Sequence, residues 1–148
     1  MKVLDKKVPV CAKLTDQDTG LRSRIIALAN NPATPAPLLD YISTTNTVPA
    51  VESVAGNESA SKITLLRLAD HPSPRVRAAV TENRNAPFEI LACLCEDEHP
   101  DVRFAMAENP RVPKSLLAKL INDDNPYVAS RALTTLERLK GRVSMWLE

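Results

Sequence analysis

A block of sequence recurs at an interval of 26 residues, and this spacing leaves few architectures open to the chain. The segment from Asp70 to Asn83 returns as the segment from Glu96 to Asn109. The shared positions include Pro74/Pro100, Val76/Val102, Arg77/Arg103, Pro87/Pro113, Leu91/Leu117 and Leu94/Leu120. A period of about 20–50 residues is typical of solenoids, in which each unit buries its apolar side only against its neighbours.

Four sets of equivalent positions hold this register along most of the chain. They are Asn31/Asn57/Asn83/Asn109, Leu39/Leu65/Leu91/Leu117, Ile42/Leu68/Leu94/Leu120 and Leu28/Val54/Val80/Met106/Ala132. Each unit therefore reads as a short first helix, a corner centred on Asn, and a second helix. Aromatic residues make up only 3% of the chain and there are only three Gly, a composition that favours thin helical layers. We predict an all-α, right-handed α-solenoid of about four to five helix-pair repeats.

Three regions follow from this pattern. Residues 1–17 carry no repeat signal and are interpreted as a lead-in, residues 18–139 as the helical repeat domain, and residues 140–148 as a tail that caps the core. Asn31 is expected to close its helix in the left-handed conformation, which Asn tolerates. Gly141 is expected to end the last helix, so that Val143, Trp146 and Leu147 fold over the open end.

The charge, the apolar runs and the cysteine content bear on the partners and the cellular compartment that suit this chain. The net charge is +1, whereas a dedicated duplex-binding domain is usually far more basic. No apolar run approaches the roughly 18–20 residues of a membrane span, and the start of the chain is too charged for a signal peptide. Three Cys is an odd number, for which reduced thiols in a cytoplasm are the simplest explanation.

The segment of residues 101–120, and the one of residues 27–39, resemble the leucine-rich repeat variant family. The Val-Arg pairs that follow acidic residues also resemble HEAT repeats. This resemblance covers about residues 22–136 and implies a helical solenoid of short paired helices, without implying a particular activity. Some members of the variant family bind an iron–sulfur centre through an amino-terminal Cys cluster. Only Cys11 lies near the start here, so we expect no cofactor.

An acidic residue stands seven positions before an Arg in two units, as Asp70 before Arg77 and Glu96 before Arg103. In HEAT-like repeats, acid and Arg at such places link stacked units. We interpret them as a structural ion-pair ladder. The alternative is that Arg75, Arg77 and Arg103 contact a partner.

Cys93 and Cys95 form a Cys-x-Cys inside a predicted helix, where they point about 200° apart and cannot share a metal. Equivalent positions indicate that Cys95 is in the core and Cys93 on the surface, where it is alternatively an oxidisable thiol. His71 and His99 are interpreted as turn residues that cap the following helix. We therefore predict no metal site.

The exposed side of the second helices is the best candidate for a binding surface, since these helices commonly line the concave face of a solenoid. Its candidate contact residues for a protein partner are Tyr41, Leu66, Arg67, Cys93 and Lys119. We expect a non-catalytic adaptor that holds another protein in a bacterial-type cytoplasm. The alternative is a nucleic-acid-binding solenoid that uses Arg75, Arg77, Arg103 and the C-terminal cations Arg131, Arg138, Lys140 and Arg142. An enzyme of another kind is a third alternative, but the three scattered Gly of this chain form no phosphate-binding loop.

Overall fold

A computed structural model describes residues 19–144, and every regular element in that range is an α-helix. The helices are α1 (Thr19–Asn30), α2 (Ala36–Ser43), α3 (Val48–Gly56), α4 (Lys62–Ala69), α5 (Pro74–Glu82), α6 (Phe88–Leu94), α7 (Pro100–Glu108), α8 (Lys114–Leu120) and α9 (Pro126–Ser144). The prediction of an all-α chain is confirmed for these described residues. In the described part of the chain, no helix combines the length and the apolar composition needed to cross a membrane.

The helix starts coincide with residues that favour helix initiation. Proline occupies the first position of α5, α7 and α9, where its fixed φ suits a helix and its missing N–H leaves no donor unpaired. At α4 the hydroxyl of Ser61 replaces this device and accepts a hydrogen bond of 3.1 Å from the Thr64 N–H. The first residues of α3, α5, α7 and α9 consequently lie 26 positions apart, as do those of α2, α4, α6 and α8.

The odd-numbered helices form one row, in which each contacts the next, and α2, α4 and α6 follow one another beside it. The core lies between these helices. It contains both predicted Leu/Ile columns, with Leu39, Leu65, Leu91 and Leu117 in one and Ile42, Leu68, Leu94 and Leu120 in the other. Every side chain of those two columns is buried, so the sequence pattern located the core of the second helices correctly.

The asparagine column holds consecutive helix pairs together, although not in the way that the sequence suggested. Asn57, Asn83 and Asn109 have φ near −75° and an extended ψ, so none of these three residues adopts the left-handed conformation that was expected at Asn31. Instead, the Nδ2 of Asn83 donates to the carbonyls of Ala55 and Asn57, at 2.8 and 2.9 Å. Its Oδ1 accepts from the Asn85 N–H. The side-chain amide of each Asn thereby supplies a donor to carbonyls at the end of the preceding odd-numbered helix, where no helical N–H is available to them.

Asn57 repeats this arrangement one pair earlier, where its Nδ2 donates to the carbonyls of Ala29 and Asn31. Asn109 does so one pair later, with a bond of 2.7 Å to the carbonyl of Thr81. At the next equivalent position stands Thr135, which is buried and whose hydroxyl has no hydrogen-bond partner. The asparagine ladder therefore ends at α9.

Two expectations about the ends of the chain are wrong. Leu28 was assigned to a core column, but its side chain is 43% exposed while Val54, Val80, Met106 and Ala132 are fully buried. The reason is that no helix precedes α1 within the described residues. In addition, α9 continues through Gly141 to Ser144, because a glycine costs a helix only about 1 kcal/mol and does not by itself end it.

The remaining expectations for the ends cannot be compared with the structure. The lead-in of residues 1–17 lies outside the described residues, as do Trp146, Leu147 and the side chain of Val143.

Candidate protein-binding surface

Large apolar side chains project from the outward sides of α2, α4 and α6, which we call the second-helix face. Ile63 is 76% exposed, Leu66 63%, Tyr41 64% and Phe88 53%. They lie on α2, α4 and α6, which contact one another in that order. On each of these helices the opposite side is buried in the core, so the outward position of these four residues follows from the helical period.

The structure places all five predicted contact residues, Tyr41, Leu66, Arg67, Cys93 and Lys119, on exposed positions of the second helices. The two charged residues among them, Arg67 and Lys119, each form an ion pair within the protein. The guanidinium of Arg67 pairs with the Asp40 carboxylate and donates a hydrogen bond of 2.7 Å to the Ser43 hydroxyl, both on α2. Lys119 pairs with Glu96, and this hydrogen bond lowers the pKa of Glu96 and raises that of Lys119.

Ile63 and Phe88 are the residues that sequence reasoning missed on this face. The signal for them was present in the repeat. The positions equivalent to Ile63 hold Pro37, Glu89 and Ser115, and those equivalent to Phe88 include Lys62 and Lys114. A large apolar residue at a position where the other copies carry small, polar or charged residues is not required by the packing of the repeat, and such a residue marks a candidate contact.

The predicted acid–arginine ladder exists, but with different acidic partners. Arg77 pairs with Asp97 through two hydrogen bonds of 2.8 Å, and Arg103 pairs with Asp123 in the same two-pronged geometry, at 2.7 and 3.0 Å. The expected partners Asp70 and Glu96 stand seven residues before each Arg, whereas the observed ones stand twenty residues after it.

The turn before each Arg explains this difference. The Nη1 of Arg77 donates to the carbonyl of His71, and the Nη1 of Arg103 donates to that of Asp97, so the upstream turn offers backbone oxygens rather than carboxylates. The Nε and Nη2 of each guanidinium then donate to the carboxylate in the turn that leads into the next odd-numbered helix. These side chains are 10% and 17% exposed, which leaves them little surface for a nucleic-acid phosphate.

The two carboxylates of this ladder are held in their charged form. Burial by itself raises the pKa of Asp97, but the hydrogen bonds from Arg77 and from the His99 N–H outweigh it, and the pKa is lowered. The hydrogen bond from Arg103 lowers the pKa of Asp123 against the smaller effect of burial. The same bonds raise the pKa of both arginines. The ladder is therefore a set of charged links between elements.

The other candidate nucleic-acid contacts are divided between paired and exposed cations. Arg75 lies 3.0 Å from the Glu52 carboxylate, and Arg131 lies 3.3 Å from Glu108 and stacks over the Phe104 ring. Arg138 and Lys140 are exposed on α9. The side chain of Arg142 lies outside the described part of the chain.

The cysteines and histidines take structural positions. Cys95 is buried, which raises the pKa of its thiol, and Cys93 is exposed, as the repeat register predicts. The Nδ1 of His99 accepts a hydrogen bond from the Asp101 N–H and caps α7, which confirms its predicted role. The expected cap is wrong for His71, which accepts a hydrogen bond from the Ser73 N–H in the turn before α5, a helix without a side-chain cap. In residues 19–144, no group of three or more ligating side chains is arranged to hold a metal ion.

Comparison with protein-family models, with curated proteins and with solved structures finds no match to this chain.

Proposed function

We propose that this protein is an adaptor that binds another protein through its second-helix face. In this proposal the chain is a right-handed α-solenoid of about four to five helix-pair repeats, similar to the leucine-rich repeat variant and HEAT-like families. It works without catalysis in a bacterial-type cytoplasm. Two free thiols, Cys93 and Cys95, suit such a reducing compartment.

The proposed architecture has support from three features of the described helices. Equivalent helices start 26 residues apart, the odd-numbered helices contact one another in sequence, and equivalent Asn and Arg side chains join consecutive pairs. A chain that repeats both its helices and the bonds between them is expected to grow in one direction, with each pair contacting only its neighbours.

The observation that carries the functional proposal is the presence of exposed apolar side chains on the consecutive helices α2, α4 and α6. Tyr41, Ile63, Leu66 and Phe88 are each more than half exposed, although burial of such a side chain is worth about 1.5–3 kcal/mol. Neighbouring exposed apolar side chains mark interaction sites in folded proteins, and aromatic anchors are enriched among the residues that dominate binding. A protein partner that covers these four side chains recovers that free energy.

Nucleic-acid binding has less support. Of the seven cations that the sequence suggested for it, Arg77 and Arg103 are consumed by the ladder, and Arg75 and Arg131 face carboxylates. Exposed Arg138 and Lys140 remain on α9, and the side chain of Arg142 lies outside the described part of the chain. Affinity for nucleic acid depends on several phosphate contacts made together, and the two remaining described cations supply few.

The test is affinity purification from the source cells, with mass spectrometry of the recovered proteins and a nuclease-treated arm. The baits are the unaltered protein, Ile63→Asp/Leu66→Asp, and the control Ser115→Asp/Ala118→Asp, which places the same charges at the equivalent exposed positions of α8. We expect the unaltered and control baits to recover the same partner protein, with or without nuclease treatment. Recovery by Ile63→Asp/Leu66→Asp is expected to fall at least about tenfold.

All four substituted positions are exposed, so we expect the three baits to melt at similar temperatures. Thermal melting of each bait verifies that the added charges leave the fold intact. Equal recovery by the two double variants places the binding site elsewhere. Recovery that disappears on nuclease treatment instead favours nucleic acid as the ligand.

A further inference from the structure

Arg131 of α9 shows how two neighbouring odd-numbered helices receive a guanidinium group. It lies 3.3 Å from the Glu108 carboxylate of α7, and its guanidinium carbon lies over the Phe104 ring, 5.3 Å from the ring centre. The side chain of Arg131 is 35% exposed, so most of it is covered. An ion pair and a cation–π contact together hold this arginine between α7 and α9.

The groove between α5 and α7, one helix pair earlier, has the same carboxylate but no arginine. At an offset of 26 residues, Glu108 corresponds to Glu82, and Arg131 corresponds to Ala105. A cavity of about 390 Å³ is present here, and both Glu82 and Ala105 line it. We call it the α5–α7 groove. Glu82 is exposed and forms no ion pair within residues 19–144, so its charge is available to a ligand.

The position of Glu82 in its helix also favours a cation at this place. Glu82 is the last residue of α5, and the last turn of α5 contains no basic residue. The C-terminal end of a helix carries a partial negative charge, which repels a carboxylate and attracts a cation. The carboxylate and the helix end therefore present negative charge at the same place, and a bound guanidinium group relieves their repulsion.

Arg111 sets a further condition on the ligand, because it lines the same cavity. Its side chain is exposed and forms no ion pair in the described part of the chain. The remaining charged residue of the lining, Glu108, is already paired with Arg131. The groove thus offers one unpaired charge of each sign. This combination suits a segment in which an acidic residue stands beside an arginine, and it disfavours a ligand that carries only positive charges.

We propose that the α5–α7 groove binds an arginine of a partner protein, with its guanidinium on Glu82 and the carboxylate of an adjacent acidic residue on Arg111. The groove lies on α5, on α7 and in the corner after α7, so it is separate from the second-helix face and stands without the adaptor proposal. Ala78 replaces Phe104 at this helix pair, so the bound arginine is held by its charge without the cation–π contact.

The probe for this site is the blocked peptide acetyl-Gly-Arg-Asp-Gly-amide, titrated into the full-length protein and followed by amide-resolved NMR. A second peptide contains citrulline, which keeps the shape of arginine without its charge, and a third contains Asn in place of Asp. We expect the first peptide to shift the amide signals of Glu82, Ala105 and Arg111 saturably. Its affinity should exceed that of the citrulline peptide at least about fivefold, and it should also exceed that of the Asn peptide.

Two variants assign the binding to the α5–α7 groove. Glu82→Gln keeps the size of the side chain and is expected to lower the affinity for the arginine peptide to that for the citrulline peptide. Ala105→Arg places an arginine at the position equivalent to Arg131 and is expected to fill the groove and block the peptide. The matched control is Glu89→Gln, which neutralises an exposed carboxylate of α6 and is expected to leave the affinity unchanged.

The proposal is overturned if the arginine and citrulline peptides bind equally, or if neither binds at millimolar concentration. It is also overturned if Glu82→Gln and Glu89→Gln lower the affinity by the same factor, because the peptide then responds to the overall charge of the protein. Equal affinities for the Asp and Asn peptides contradict the contact proposed for Arg111.

Discussion

At the scale of single residues, the asparagines do more than end helices. The side chain of Asn83 satisfies two backbone carbonyls of the preceding helix pair and one N–H of its own corner. Asn suits this role because its side chain carries both a donor group and an acceptor. Asp lacks the donor, and Ser is too short to reach both sides. The ladder thus explains why one residue type recurs at this position, which helix propensity alone does not.

Replacement of Asn83 by Asp tests this role with almost no change in shape. At neutral pH the variant turns a carboxylate oxygen toward the carbonyls of Ala55 and Asn57, so both lose their donor in a buried site. We expect the free energy of unfolding to fall by roughly 2–4 kcal/mol, measured by urea denaturation.

Asn31→Asp is the matched control. Asn31 is exposed, and its Oδ1 accepts from the Ala33 N–H, a bond that Asp keeps. We expect this substitution to cost less than about 1 kcal/mol. Equal losses in the two variants are the outcome that would deny the ladder its stabilising role.

The repeat spacing located these asparagines but not their bonds. The sequence shows which positions are equivalent, because apolar and polar residue types recur in register. It does not show which backbone groups remain unpaired once helices pack, and the hydrogen bonds of Asn83 depend on that. The same limitation explains Arg77, for which two acidic columns, one upstream and one downstream, lie within plausible reach.

At the scale of elements, the two Arg–Asp links connect α5 and α7 to the turns that lead into α7 and α9. Arg77 of α5 holds Asp97 in the turn after α6, and Asp97 also accepts from the His99 N–H just before α7. Both side chains of this pair are nearly buried. A buried pair that loses one partner leaves an uncompensated charge, which costs about 3–5 kcal/mol.

This link predicts a specific dependence on pH. The pKa values of Asp97 and Asp123 in the folded protein lie below the ordinary value of 3.8. Their stabilisation is therefore complete above that value and is lost as the pH falls through the lowered folded pKa. We expect the melting temperature of the unaltered protein to fall more steeply between about pH 5 and pH 2 than that of Asp97→Asn/Asp123→Asn.

The double variant serves as the reference for this measurement, since it lacks both titrating carboxylates but keeps acceptor oxygens in the two turns. At neutral pH it is expected to melt at a lower temperature than the unaltered protein, and the two curves converge in acid. Parallel curves over the whole range would show that these carboxylates contribute nothing to the acid sensitivity of the fold.

Helix starts were easier to predict than helix ends. Pro74, Pro100 and Pro126 each begin a helix, because proline is suited to the first position and poorly suited to any later one. Gly141 carries no comparable constraint, since a helix accommodates glycine at a modest cost. The packing and hydrogen bonding of its residues decide the length of α9. The weak preference of Gly141 for a helix end did not stop the helix at that residue.

At the scale of the whole molecule, the sequence predicted a row of helix pairs and the positions of its core. It also named part of the second-helix face correctly as exposed. It did not predict Ile63 and Phe88, because no large apolar side chain recurs at their equivalent positions. Residues that depart from a repeat are not needed for its packing, and they are the ones available for binding.

The central claim is that consecutive helix pairs repeat both their core and the bonds between them. A chain of this kind accepts one more pair, whereas a closed globular arrangement is disrupted by such an insertion. The direct measurement is therefore made on a protein in which a second copy of residues 74–99 is inserted after residue 99. A scrambled insert of the same composition is its control.

We expect the variant with the added copy to unfold cooperatively at the same temperature as the unaltered protein or higher, with unchanged helical circular dichroism per residue. Its maximum dimension in small-angle X-ray scattering should increase by about 8–10 Å, the spacing of packed helices. A fall in helicity per residue, with the lower melting temperature and expanded chain expected of the scrambled insert, would contradict the account.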